Sequence, residues 1–169
     1  SKADIKSIEV DFENRVANTV INKNEDSDKG KRYYLNDLDY VDLYLIHWPN
    51  PITHREHEAW KARNREVWKA MEDLQTQGKI RSIGVSNFLP HHMDALLETA
   101  RVLPAVNQIR LAPGVFQEEV VDYCRQKGIL LEAWGPFGQG ELFTHEIVLA
   151  LAEKYGVSPA QILLAWSLA

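Results

Sequence analysis

The sequence is poor in the features that mark secreted, membrane-bound or disulfide-stabilised proteins. Cys124 is the only cysteine, which excludes an intrachain disulfide and is typical of a chain from a reducing compartment. No apolar run approaches the roughly 20 residues that a membrane-spanning helix needs. The amino-terminal stretch SKADIKSIEV lacks the apolar core of a secretory signal. We therefore expect a cytoplasmic location and no membrane partner.

Positive charge is also scarce, because 24 aspartate and glutamate residues outnumber 19 lysine and arginine residues and give a formal net charge of -5. Lysine and arginine form no long run, so a nucleic-acid partner is not expected. A G-x-G-x-x-G string is absent as well, which argues against a Rossmann-type dinucleotide fold. The 169 residues, 45% of them hydrophobic, can bury a sizeable core. We expect a soluble domain that acts on small molecules.

Short β-rich runs alternate with helical patterns from Asp39 onward. Strands are predicted at residues 40–46, 80–85, 105–109 and 129–134. Helices are predicted at residues 58–77, 90–100, 117–127 and 145–155, with a further helix that begins at Ser158-Pro159. This alternation is the signature of parallel strands joined by helical crossovers. It predicts about four β/α units.

Residues 1–38 follow a different pattern. Ile8, Val10 and Phe12 alternate with acidic residues, which predicts a half-exposed strand. The polar tract NKNEDSDKGKR that follows is typical of a turn or loop. The sequence therefore divides into an irregular N-terminal segment, residues 1–38, and an α/β segment, residues 39–169.

The residues that follow the predicted strands are the candidates for chemistry, because the parallel strands of a barrel point their carboxyl ends at one face. The first strand ends in HWP at 47–49 and the second in SNF at 86–88. The third carries NQ at 107–108, and the fourth ends in WGPFG at 134–138. Four polar or aromatic clusters are therefore expected on one rim.

Four strings at these positions resemble successive signatures of the aldo-keto reductase family: DYVDLYLIHWP, GKIRSIGVSNF, VNQ and LEAWGPFG. The resemblance covers about residues 35–169, and several motifs in order are more specific than any one alone. It implies an α/β fold of the (β/α)8 TIM-barrel type, of which this chain supplies about four central β/α units. It also implies an oxidoreductase that reduces aldehydes or ketones to alcohols by hydride transfer, with NADPH as the expected cofactor and NADH as the alternative.

The resemblance assigns roles to individual residues at the strand ends. His47 matches the family's active-site histidine, which hydrogen-bonds the substrate carbonyl oxygen. Ser86 and Asn87 match the pair that binds the nicotinamide carboxamide, and Gln108 matches a third amide partner. Trp134 matches the ring that stacks on the nicotinamide. Gly135, Phe137 and Gln139 match the loop that follows the pyrophosphate. Trp48 is expected to line the substrate pocket.

Structural roles remain the alternative at each of these positions: a strand-end cap for His47, turn formation for Ser86 and Asn87, and barrel packing for Trp134. The other histidines carry no prediction of chemistry. No metal site is expected, because His54 and His57 lack cysteine or carboxylate partners at ligand spacing. The pair at 91–92 is expected to be exposed, and the lone cysteine is expected to pack in the core.

The family's proton donor is a tyrosine tuned by a lysine and an aspartate, all from strands that precede the histidine strand. None of them lies in the recognised region. We therefore expect a piece of a longer protein, a joined sequence, or a short variant that self-associates through open sheet edges. The alternative function is a catalytically inactive partial barrel that binds a nucleotide or a protein partner.

Overall fold

The computed structural model describes residues 4–11, 16–22, 31–34, 40–49 and 59–169. The chain divides into two units, Ser1–Ala105 and Val106–Ala169. The division falls at a different place from the predicted boundary after residue 38, which stays a prediction.

Three antiparallel strands occupy the described parts of the N-terminal segment. They are β1 (Asp4–Asp11), β2 (Val16–Asn22) and β3 (Lys31–Tyr34). β2 pairs with both of the others, and the β1–β2 register shifts between Ile5 and Ser7. The strand expected around Ile8 and Val10 corresponds to β1, so these stretches are more regular than predicted. Phe12 and most of the polar tract lie outside the described residues.

The rest of the first unit alternates strand and helix: β4 (Val41–Ile46), α1 (Ala59–Thr76), β5 (Ile80–Ser86) and α2 (Pro90–Leu97). β4 and β5 are parallel, in register from Val41–Ile80 to Ile46–Val85. Five of the seven residues of β5 are buried, as expected of a parallel strand that is covered on both faces along most of its length.

Helix α1 presents one apolar stripe to this unit. Its buried positions include Trp60, Asn64, Trp68 and Met71, which recur at the spacing of one helical face. Trp68 is only 1% exposed, and its indole N–H donates to the backbone oxygen of Val102 at 3.2 Å. This tryptophan is therefore both packed and hydrogen-bonded, which fixes α1 against the chain that follows α2.

A buried carboxylate ties the same helix to the chain after α2. Glu72 is 3% exposed and accepts from the backbone N–H of Arg101 at 2.6 Å, from its Nε at 2.8 Å, and from the N–H of Val102 at 2.8 Å. Burial alone would raise the pKa of Glu72, but the hydrogen bonds from Arg101 and Val102 hold it below its usual value. These three hydrogen bonds thus compensate the buried negative charge of Glu72.

The second unit contains β6 (Val106–Arg110), α3 (Glu118–Lys127), β7 (Leu130–Trp134), a 3-10 helix (Gly138–Thr144), α4 (Glu146–Tyr155) and α5 (Pro159–Leu168). β6 and β7 are parallel. Asn107 and Ile109 are buried, and Asn107 Nδ2 lies 3.6 Å from Cys124 Sγ on α3. Cys124 is fully buried, so its predicted packing role is confirmed, and this burial raises the pKa of its thiol.

The predicted alternation of strands and helices is confirmed, with element ends that differ by a few residues. α2, for example, ends at Leu97, before the predicted end at Ala100. Among the residues that the structure describes, no single helix is long and apolar enough to cross a membrane. α4 and α5 reach that length only as a pair bent by 95°.

Candidate active site

His47 directly follows β4 and begins the turn at residues 47–49. Its side chain is exposed, whereas Ile46 before it and Pro49 after it are buried. Asn64 of α1 holds the turn, because its buried side chain donates from Nδ2 to the Pro49 oxygen at 2.8 Å. Buried residues on both sides therefore anchor the backbone and leave the imidazole of His47 accessible.

Asn87 follows β5 and ties its own turn to that of His47. Its Nδ2 donates to the His47 backbone oxygen at 2.9 Å and to Ser86 Oγ at 3.0 Å. An amide nitrogen carries two hydrogens, so both bonds form at once. The backbone of Asn87 is left-handed, with φ of 61°, a conformation that asparagine tolerates better than most side chains. The structure thus brings three predicted site residues together.

Trp48 lies beside the predicted catalytic histidine. The ring centroids of His47 and Trp48 are 6.1 Å apart, with planes tilted by 54°. The indole is 49% exposed, so core packing does not account for it. Its predicted role in lining a substrate pocket is consistent with this position and stays a prediction.

The turn after Asn87 is locked by an aromatic cluster. Phe88 is fully buried and lies 5.9 Å, between ring centroids, from His92, which also lies 4.9 Å from Trp60. His92 Nδ1 accepts from the backbone N–H of Leu89 at 3.1 Å and so satisfies a donor at the start of α2. The predicted exposure of the histidine pair is correct for His91 and wrong for His92, which is 5% exposed. The position of His92 in α2 places its ring against Trp60.

Acidification is expected to destabilise the first unit through His92. Burial, assisted by the neighbouring His91, lowers the pKa of His92 from 6.5 to about 4, so the unfolded chain takes up this proton first. The stability that the neutral ring contributes is fully present above pH 6.5 and is lost as the pH falls toward 4. At about 1.4 kcal/mol per pKa unit the loss reaches up to about 3 kcal/mol.

Urea unfolding of wild type and His92→Asn between pH 7 and pH 4 measures this loss. Asparagine offers an acceptor near the Nδ1 position but does not titrate, so the variant should show a smaller loss than wild type over the window. His91→Asn is the matched control and should keep most of the wild-type loss, because burial, and not the charge of His91, is the larger cause of the lowered pKa of His92. Identical pH dependence in wild type and His92→Asn would show that His92 is not the group responsible.

Gln108 and Trp134 lie on one face of the strand pair of the second unit. In the parallel register Gln108 is opposite Glu132, and Arg110 is opposite Trp134. Gln108 Nε2 donates to Glu132 Oε1 at 2.7 Å. The guanidinium carbon of Arg110 lies 5.8 Å from the centroid of the Trp134 ring, within the range of a cation–π contact. Both predicted residues therefore have a charged neighbour.

The predicted pyrophosphate loop is more ordered than a generic glycine-rich loop. The 3-10 helix Gly138–Thr144 begins inside it. Gly135, Gln139 and Gly140 have left-handed backbones, with φ of 67°, 59° and 97°, and the Gly140 N–H donates to the Phe137 oxygen at 2.9 Å. No atom outside the chain neighbours would meet a Cβ at Gly135 or Gly140 within 4 Å. The backbone is thus open to close approach, and the anion-binding role stays a prediction.

Within the described residues, no group of three or more histidine, cysteine or acidic side chains is placed to hold a metal ion. His54 and His57, for which no metal site is expected, lie outside the described residues.

Four residues that contact the predicted site residues or their turns were not predicted to do so from the sequence: Asn64, His92, Arg110 and Glu132. Glu132 and Arg110 lie two positions from Trp134 and Gln108 along their strands, and the two-residue strand period places such pairs on one face. That signal was available in the sequence. Asn64 and His92 offered none, because their roles depend on contacts with distant residues.

A model of the aldo/keto reductase family matches residues 32–169 of this chain. Glyoxal reductase of Bacillus subtilis is 47% identical over 131 residues, which cover 78% of this chain and 44% of the relative. The chain therefore spans less than half the length of this curated relative.

Two solved structures share the fold. A crystal structure of a Gox0644 variant in complex with NADPH matches with a TM-score of 0.69 and 36% identity, over 77% of this chain and 45% of that one. An aldo/keto reductase from Brucella melitensis matches with a TM-score of 0.68 and 39% identity, over 77% of this chain and 47% of that one. The predicted fold, barrel-type β/α units of which this chain holds a part, is confirmed.

Proposed function

The chain belongs to the aldo/keto reductase family, and from that premise we propose that the protein is an NADPH-dependent oxidoreductase that reduces small aldehydes or ketones to alcohols. NADH is the alternative cofactor. The observation that carries the proposal is the 2.9 Å hydrogen bond from Asn87 Nδ2 to the His47 backbone oxygen. It joins the predicted catalytic residue to the predicted carboxamide-binding pair.

The groups after β5 suit a nicotinamide carboxamide. Asn87 uses its Nδ2 toward His47 and Ser86, which turns its side-chain oxygen the other way. An amide oxygen accepts a hydrogen bond and therefore matches the carboxamide NH2. The left-handed backbone of Asn87 and the buried ring of Phe88 hold this turn in one conformation, which supports pre-organised binding.

NADPH, when bound, supplies the hydride that adds to the substrate's carbonyl carbon. The imidazole N–H of His47 donates a hydrogen bond to the carbonyl oxygen, orients the substrate and stabilises the negative charge that develops on that oxygen. The oxygen then takes up one proton. Tyr44, on the same strand as His47, is unsuited to supply it, because burial raises its pKa to about 12. We assign the proton to a donor outside residues 35–169.

The glyoxal reductase relative makes small dicarbonyl compounds the first substrates to examine. The exposed indole of Trp48 beside the imidazole of His47 supports an apolar contact for the part of the substrate that does not react. A cytoplasmic location completes the proposal, because NADPH is available there and Cys124 stays reduced.

A test of the proposal combines binding with turnover by the purified protein. NADPH is expected to quench tryptophan fluorescence, and Trp134→Ala is expected to remove the saturable part of that effect because the ring stacks on the nicotinamide. Glyoxal should then oxidise the bound NADPH, with propanal and acetone as further substrates. Binding without consumption of NADPH by any of these would favour the inactive nucleotide-binding alternative, and no saturable binding would contradict both.

A further inference from the structure

One face of the β6–β7 pair carries the charged residues Arg110 and Glu132 beside the predicted cofactor residues Gln108 and Trp134. Gln108 and Glu132 form one rung of the parallel ladder, and Arg110 and Trp134 form the next rung toward the carboxyl ends. The opposite face packs into the core, because Asn107 and Ile109 on it are buried. Glu132 therefore sits one rung from the ring expected to stack on the nicotinamide.

The contact between Gln108 and Glu132 fixes which end of the glutamine amide points where. A carboxylate has no hydrogen to donate, so only the NH2 end of Gln108 can face it. The 2.7 Å separation of Nε2 and Oε1 is typical of a charge-assisted hydrogen bond, which is stronger than a neutral one. The side-chain oxygen of Gln108 is consequently turned away from Glu132.

We propose that Glu132 is a positioning residue that orients the Gln108 amide so that its oxygen, and not its nitrogen, meets the nicotinamide carboxamide. The inference rests on the proposed function. An oxygen at this point accepts a hydrogen bond from the carboxamide NH2, so the site selects a cofactor with an N–H donor there. With the amide reversed, the NH2 of Gln108 would face the NH2 of the cofactor, and the contact would be lost.

Arg110 makes this orientation compatible with cofactor binding. Its guanidinium lies over Trp134, one rung from Glu132, and its positive charge offsets the negative charge that Glu132 would otherwise present to an anionic cofactor. The carboxylate thus acts through Gln108 and needs no contact with the cofactor of its own.

The experiment compares NADPH with its acetylpyridine analogue, in which a methyl ketone replaces the carboxamide and no N–H remains. An unpaired acceptor costs about 1–3 kcal/mol, so wild type should bind NADPH about fivefold to a hundredfold more tightly than the analogue. Glu132→Gln and Glu132→Ala free the Gln108 amide to turn, and either should reduce this preference at least about threefold, whereas the part of it that comes from the Asn87 oxygen should remain. Glu153→Gln, at an exposed position on α4, is the matched control and should keep the wild-type preference.

Glu132→Gln nearly preserves the shape of the side chain, which keeps the comparison available if the alanine variant folds poorly. In a Gln108→Ala background the same substitution should leave the preference unchanged, because the group through which Glu132 acts is gone. If Glu132→Gln weakens the binding of NADPH and of the analogue equally, Glu132 has a structural role only and the inference is overturned. An unchanged preference for NADPH would overturn it as well. Failure of wild type to bind NADPH at all would instead contradict the proposed function.

Discussion

Replacing His47 with alanine is expected to lower kcat for glyoxal reduction by roughly 10²- to 10³-fold, because the variant loses the donor that stabilises the developing negative charge on the substrate oxygen. The fold should survive, since Asn87 holds the His47 backbone oxygen and Asn64 holds that of Pro49. Neither bond involves the imidazole. NADPH affinity should therefore stay within about threefold of wild type, a change smaller than 1 kcal/mol.

Steady-state kinetics with NADPH held saturating measure this effect, and fluorescence titration measures the cofactor affinity separately. His47→Gln keeps an N–H donor and should recover part of the lost rate. His91→Ala removes an exposed histidine of α2 and serves as the control with wild-type kcat. A His47→Ala variant with wild-type kcat would remove this residue from the mechanism.

Replacing Asn87 with alanine is expected to weaken NADPH binding by about thirtyfold to a hundredfold, which corresponds to roughly 2–3 kcal/mol. Three losses combine: the proposed contact with the carboxamide, the hydrogen bond to the His47 oxygen, and the tolerance of asparagine for φ of 61°. Left-handed backbone costs an ordinary side chain about 1–2 kcal/mol. The variant should therefore also unfold at a lower urea concentration than wild type.

Two further variants separate these losses. Asn87→Gly accepts the left-handed backbone without strain and should regain stability relative to alanine, but not cofactor affinity. Asn87→Asp keeps the shape and places a carboxylate oxygen against the His47 oxygen, so NADPH affinity should fall at least as far as in Asn87→Ala. Wild-type affinity in Asn87→Gly would show that the amide itself has no part in binding.

The sequence predicted the elements well where a short repeat controls them. The alternation of apolar runs with helical stripes placed β5 and α1 within a residue of their observed ends, because burial of one face imposes a period on the chain. The strand-end position of His47 followed from the same pattern. The family motifs then supplied the role that we propose for it.

Contacts between distant residues were beyond local prediction. The sequence around His92 is compatible with exposure, and the ring is buried because Trp60 from α1 and Phe88 pack against it. The Gln108–Glu132 bond depends on the β6–β7 register, which nothing within either strand specifies. The 3-10 helix after β7 likewise depends on left-handed turns at Gln139 and Gly140 that glycine-rich sequence permits without selecting.

The most direct test of the central claim follows the hydride itself. The purified protein is incubated with glyoxal and NADPH that carries deuterium at the transferable position of the nicotinamide ring, and the alcohol product is analysed by mass spectrometry. We expect one deuterium on the former carbonyl carbon of the wild-type product, and a much smaller yield of the same labelled product from His47→Ala. An alcohol without deuterium, or no alcohol from a protein that binds NADPH, would contradict that claim.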